Sequence, residues 1–202
     1  IRSRSAKKTF VVYQPNADQE ERIRQLREHL SEREVIMLER DIGQHPDARF
    51  RVRYYVPKNY AGLAHMLARN FFEPQGNQEP DIVVAQAPDW PEVLIYVHPT
   101  PDGRVFTYAM GSDYYGEAKM GSLRAAMHIA REQRGLLGLH AGTKLARLNV
   151  NGRIAEKGML IFGLSGTGKT TITVNDFDLQ PPESVVVLQD DINLLRADTY
   201  AY

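Results

Sequence analysis

Between residues 50 and 56 apolar and charged positions alternate, with Phe50, Val52 and Tyr54 set against Arg51 and Arg53. A period of two is that of a strand with one face toward a core. KTFVVY (8–13) and EVIMLER (34–40) have strand composition too. In ADQEERIRQLREHLSER (17–33) the spacing changes to that of a helix, through Ile23, Leu26 and Leu30, with Asp18 and Glu21 placed as a capping box. Leu63, Met66, Leu67 and Phe71 mark a second helix over 58–72, and KMGSLRAAMHIAREQ (119–133) a third that ends before Gly135. DIVVAQAP (81–88), EVLIYVHP (92–99) and RVFTYAM (104–110) predict three strands joined by Pro- and Gly-containing turns. LLGLHA (136–141) and GMLIFGL (158–164) read as apolar strands, with TKLARLNVNGRIAEK between them as a polar connection. A short helix begins at Lys169, and SVVVLQDD (184–191) predicts a buried strand ending in two acids.

The chemistry is concentrated in GMLIFGLSGTGKTTITV (158–174). A strand, a glycine-rich turn and a helix start are the context that a G-x-x-x-x-G-K-T phosphate loop needs. Gly163, Gly166 and Gly168 let successive backbone N–H groups turn inward, and with the helix start they make an anion site. Lys169 would reach the β- and γ-phosphates, and the Thr170 hydroxyl would bind Mg²⁺. Asp190 and Asp191 close the strand that follows, where a carboxylate can hold the metal bridging the phosphates. Adjacent acids on an extended chain point to opposite sides, so one can hold metal and the other orient a ligand or base. The fold expected is α/β. A mixed α+β amino-terminal substrate domain covers 1–150, and the start of a P-loop nucleotide-binding domain covers 151–202.

Composition narrows the setting. Lys plus Arg and Asp plus Glu stand at 25 each, so no overall charge favours nucleic acid or an anionic membrane. The chain has no cysteine, which excludes disulfides and thiolate metal sites. No apolar run approaches the roughly 20 residues of a membrane span, and IRSRSAKK is followed by no apolar signal segment. A cytoplasmic protein is expected, and the opening at Ile1 and the close on DTYAY read as those of a piece of a longer protein, inactive by itself.

Several stretches together resemble the ATP-dependent phosphoenolpyruvate carboxykinase family. FGLSGTGKTT (162–171) with the paired aspartates is similar to its phosphate loop. GSDYYGEAKMG (111–121) resembles its G-T-x-Y-x-G-E-x-K-K-G segment, and GLLGLHAG (135–142) the segment carrying a metal-binding histidine. LARNFFEP (67–74) and PDIVVAQAPDW (80–90) are similar to A-R-N-x-F-x-R-P and P-D-x-x-x-x-N-A-P, and RSAKKTFVV (4–12) to R-S-P-K-D-K-x-x-V.

The resemblance implies conversion of oxaloacetate and ATP to phosphoenolpyruvate, CO₂ and ADP, a gluconeogenic step, in a cleft between the two domains. It implies that Arg4 binds the substrate carboxylate and that Tyr114 lines the same pocket, with Lys119 beside it. His140 and Asp191 would ligate Mn²⁺, with Asp190 next to them in a catalytic role. Gly163, Leu164, Ser165, Gly166, Thr167, Gly168, Lys169, Thr170 and Thr171 would hold ATP, with Thr170 on a second, nucleotide-bound Mg²⁺.

The sequence departs from the family at Met120, which stands where its metal-binding lysine is, and AGTK replaces C-S-A-N after His140. A kinase acting on another small-molecule or protein hydroxyl would need no amine at residue 120. A non-catalytic ATP-binding module is the third reading, and intact Lys169, Thr170 and Asp191 speak against it.

Overall fold

The computed structural model describes residues 9–164, 166–189, 191–198 and 201–202. It divides into two compact units, Ile1–Arg134 and Gly135–Tyr202.

The first unit is a six-stranded mixed sheet. Its strands are β1 (Thr9–Val11), β2 (Val35–Ile42), β3 (Phe50–Pro57), β4 (Ile82–Ala87), β5 (Leu94–Pro99) and β6 (Val105–Met110), in the order β1-β5-β6-β4-β3-β2. β3, β4 and β6 run parallel, as do β1 and β5, while β2 and β5 are antiparallel to β3 and β6. Helix α1 (Ala17–Ser31) buries Ile23, Leu26 and Leu30 in one cluster with Ala85, Ala87, Tyr96, Tyr108 and Met110. Side chains alternate along each strand, so the register partners Tyr54 and Val84 point to the opposite face. There α2 (Ala61–Asn70) and α3 (Tyr115–Arg134) pack. Burial on both faces follows the parallel connections, each of which needs a crossover lying on the sheet.

Three expectations are corrected here. The capping box of α1 is Asn16 with Gln19, whose side chains each accept the other's backbone N–H at 2.9 and 3.0 Å. Asp18 and Glu21 lie inside the helix and pair with Arg22 and Arg24 instead. α3 starts at Tyr115, one turn before Lys119, and 58–60 form a 3-10 turn that precedes α2.

Arg51, on the charged side of the β3 alternation, is 1 % exposed. Its Nε donates to Asp41 Oδ1 at 2.5 Å, and its terminal nitrogen donates to the Gln75 carbonyl at 3.0 Å. Asp41 Oδ2 in turn accepts the Gln75 N–H at 2.8 Å. The pair fastens the loop after α2 onto the sheet edge. Breaking a buried pair leaves one uncompensated charge, so Asp41→Ala is expected to cost about 3–5 kcal/mol, read as a lower urea midpoint.

The second unit is built on β7 (Leu137–Val150), which is antiparallel to β8 (Arg153–Phe162), β9 (Ser184–Gln189) and β10 (Ile192–Leu195). The stretch expected as a polar connection is the turning half of the β7–β8 hairpin. Asn151 and Gly152 have φ of 54° and 81°, so the two-residue turn is of the left-handed kind that matches strand twist. Expected burial of the 184–191 strand is also corrected: Val186 and Leu188 are exposed, as is Phe162 of apolar β8, because no described element of this unit covers those positions. No helix among the described residues is long and apolar enough to cross a membrane.

Candidate functional site

The phosphate loop leaves β8 at Phe162 and enters α4 (Lys169–Val174). Gly166 and Gly168 have φ of 79° and 88°, a backbone region costly for any residue with a Cβ. A Cβ on Gly163 would lie 2.8 Å from Thr167 Oγ1. The Thr167 hydroxyl donates to the Leu164 carbonyl at 2.7 Å and closes the loop on itself. The Lys169 ammonium lies over the loop, donating to the Gly163 and Leu164 carbonyls at 2.9 and 3.1 Å. Thr170 and Thr171 are exposed in the first turn of α4.

β7 seats this helix from beneath. Gly142 leaves the room that α4 occupies, since a Cβ there would lie 2.0 Å from Thr173 Oγ1. Lys144 is fully buried, and its ammonium donates to the carbonyls of Ile172 and Asn175 at 2.6 and 3.1 Å. It also lies 4.1 Å from the centre of the Phe177 ring. A cation on the last carbonyls of a helix satisfies acceptors that have no partner within it. Gly142→Val should therefore push α4 off β7, with about 1–3 kcal/mol lost and nucleotide affinity reduced, as titration calorimetry would show.

Strand register brings the metal candidates to the mouth of the loop. Ala141 pairs with Phe162, the last residue of β8, and Ile192 pairs with His140. At that level β9 gives way to β10, so Asp191 lies beside His140, with 3.7 Å between Asp191 Oδ1 and His140 Nε2. The main chain is tied there too: Ala141 N–H donates to the Asp191 carbonyl at 3.1 Å. Buried Asn193 accepts from the Thr143 hydroxyl at 2.8 Å and donates to the Ala141 carbonyl. One imidazole nitrogen and one carboxylate oxygen at this separation can converge on a single divalent cation. No group of three or more His, Cys, Asp or Glu suited to a metal occurs among the described residues, so the pair would rely on water or substrate oxygens.

The remaining candidates fall in two groups. Tyr114, immediately before α3, and Lys119 and Met120 within it are half-buried residues of the first unit. Arg4, Ser165 and Asp190 lie outside the described residues. Sequence reasoning missed Lys144, Gly142 and Asn193. The available signal was polar or small residues interrupting apolar runs, in HAGTK and INLL.

A strand, a G-x-x-x-x-G-K-T loop and a helix in this order are the arrangement of the P-loop class of phosphate-binding proteins, and here a His–Asp pair stands at the mouth of the loop. A family model described as phosphoenolpyruvate carboxykinase matches residues 1–201. The phosphoenolpyruvate carboxykinase (ATP) of Aeropyrum pernix is 46% identical over 158 residues, 78% of this chain and 32% of that protein. The Zea mays enzyme of the same name is 44% identical over 66 residues, 33% of this chain and 9% of that protein. The chain belongs to the phosphoenolpyruvate carboxykinase (ATP) family. It spans about a third of the length of the Aeropyrum relative.

Proposed function

We propose that this chain carries the phosphate-binding and substrate-binding residues of a cytoplasmic ATP-dependent phosphoenolpyruvate carboxykinase. The observation that carries the proposal is the His140–Asp191 pair at the strand level where the phosphate loop leaves β8. In the reaction the bond from C3 of oxaloacetate to its carboxylate breaks and CO₂ leaves. The electron pair becomes the enolate of pyruvate, whose oxygen attacks the γ-phosphorus while the bond to the β-phosphate oxygen breaks.

Arg4 would pair with the substrate carboxylate and Tyr114 would orient it. The loop amides and Lys169 would hold the triphosphate and stabilise charge developing on the transferred group. Divalent cations, Mn²⁺ at His140 and Asp191 and Mg²⁺ at Thr170, would supply Lewis-acid charge to the enolate and phosphate oxygens. Met120 offers no amine there, so the positive charge would come from the cations and Lys169.

The test is oxaloacetate-dependent phosphoenolpyruvate formation by the intact protein with ATP, Mg²⁺ and Mn²⁺. Turnover lost in both Lys169→Ala and His140→Ala is the expected result. Tight ATP binding without oxaloacetate turnover would overturn the reading and direct the search to another phosphoryl acceptor.

A further inference from the structure

The turn that delivers Tyr114 to the start of α3 is held from inside the sheet by one amide. Gln86, on β4, is fully buried. Its Nε2 donates to the Ser112 carbonyl at 2.8 Å and, at 3.4 Å, to the carbonyl of Tyr114 itself. Its Oε1 accepts from the Tyr54 hydroxyl of neighbouring β3 at 2.7 Å. Burial pushes the Tyr54 phenol well above its ordinary pKa, so it remains a donor.

Two further contacts fix the same tyrosine. Its N–H donates to Ser112 Oγ at 3.3 Å. Its ring lies over Gly116, where a Cβ would meet Cε1 at 2.2 Å. Tyr114 is thus constrained at its amide, its carbonyl and its ring. An apolar side chain would serve a core position as well for packing, and a buried amide is tolerated only when its hydrogen bonds are made. Gln86 makes them, and two of the three end on the turn carrying Tyr114.

We infer that Gln86 is a positioning residue for substrate binding: with Tyr54 it sets the 112–114 turn and thereby the placement of the Tyr114 ring. The inference rests on the reading that Tyr114 lines the oxaloacetate pocket. The chemistry recognised is that of a small dicarboxylate, and nucleotide binding is untouched.

The test uses the intact protein. It compares Gln86→Leu, Gln86→Asn, Tyr54→Phe and Tyr114→Ala, and adds the double variant of Gln86→Leu with Tyr114→Ala. Gln86→Leu is expected to raise the KM for oxaloacetate about tenfold, the loss of roughly one good hydrogen bond, with the Kd for ATP unchanged. Gln86→Asn, which keeps the amide on a shorter arm, should recover part of that loss. In the Tyr114→Ala background Gln86→Leu should add nothing, because two changes acting on one element are not additive.

Should Gln86→Leu fail to fold, Tyr54→Phe removes a single hydroxyl and is expected to raise the same KM about threefold. A lowered melting temperature with an unchanged oxaloacetate KM would overturn the inference. So would an equal KM effect with and without Tyr114. If Tyr114→Ala leaves KM unchanged, the pocket reading itself fails, a result distinct from a KM that responds to Tyr114 but ignores Gln86.

Discussion

Lys169→Ala is expected to lower the rate of phosphoenolpyruvate formation by about 10²–10³-fold, the usual cost of removing one group that stabilises transition-state charge. The ammonium rests on the Gly163 and Leu164 carbonyls, 2.9 and 3.1 Å away, so it is already directed over the loop. Its loss also leaves those carbonyls without that donor. ATP affinity should fall less than the rate, because the loop amides would still hold the phosphates while the ammonium would act most strongly as charge shifts in the transition state. Single-turnover kinetics beside equilibrium ATP titration will separate the two. Equal losses in both would mean that Lys169 merely binds.

The second large effect is expected at the metal pair. His140→Ala would remove one of the two side chains proposed to hold Mn²⁺, which stand 3.7 Å apart. Changes to groups that only support a metal ligand already cost 10–100-fold in affinity or activity, so loss of the ligand should exceed about a hundredfold in Mn²⁺ affinity. Electron paramagnetic resonance of bound Mn²⁺ reads this without any assay of turnover. Asp191→Asn should weaken the ion in the same way, since an amide oxygen keeps the geometry and loses the charge. Thr143→Val should act more weakly, by releasing Asn193 from its hydroxyl. Unchanged Mn²⁺ binding in both His140→Ala and Asp191→Asn would place the ion elsewhere.

What the sequence made legible was what a one-dimensional period or a short motif encodes. Phe50, Val52 and Tyr54 alternate in the chain and are buried together. The phosphate loop is local, and Gly166 and Gly168 adopt the left-handed backbone its glycines imply. The Asn151–Gly152 turn was equally local, but its flanks ARLNV and RIAEK look polar because β8 and the far end of β7 are largely exposed. Lys144 and Arg51 were hidden by a sound average rule, that long cations stay in water. The end of α4, which covers the one, lies 28 and 31 residues away at its two hydrogen bonds, and the Gln75 loop, which with Asp41 covers the other, lies 24 away. Gln86 was obscured similarly, because its partners belong to two other segments, β3 and the 112–114 turn.

The uncovered side chains of the second unit bear on handling and quality control in the cell. Phe162, Leu164, Val186 and Leu188 are all more than half exposed, and two of them sit on β9. Apolar strands open to solvent are templates for pairing with other copies and are the surfaces that chaperones bind. Residues 1–202 expressed alone should therefore be recovered largely as oligomers or inclusion bodies. Light scattering would rise with concentration, and lysine or glutamate at Val186 and Leu188 would restore solubility without repairing catalysis.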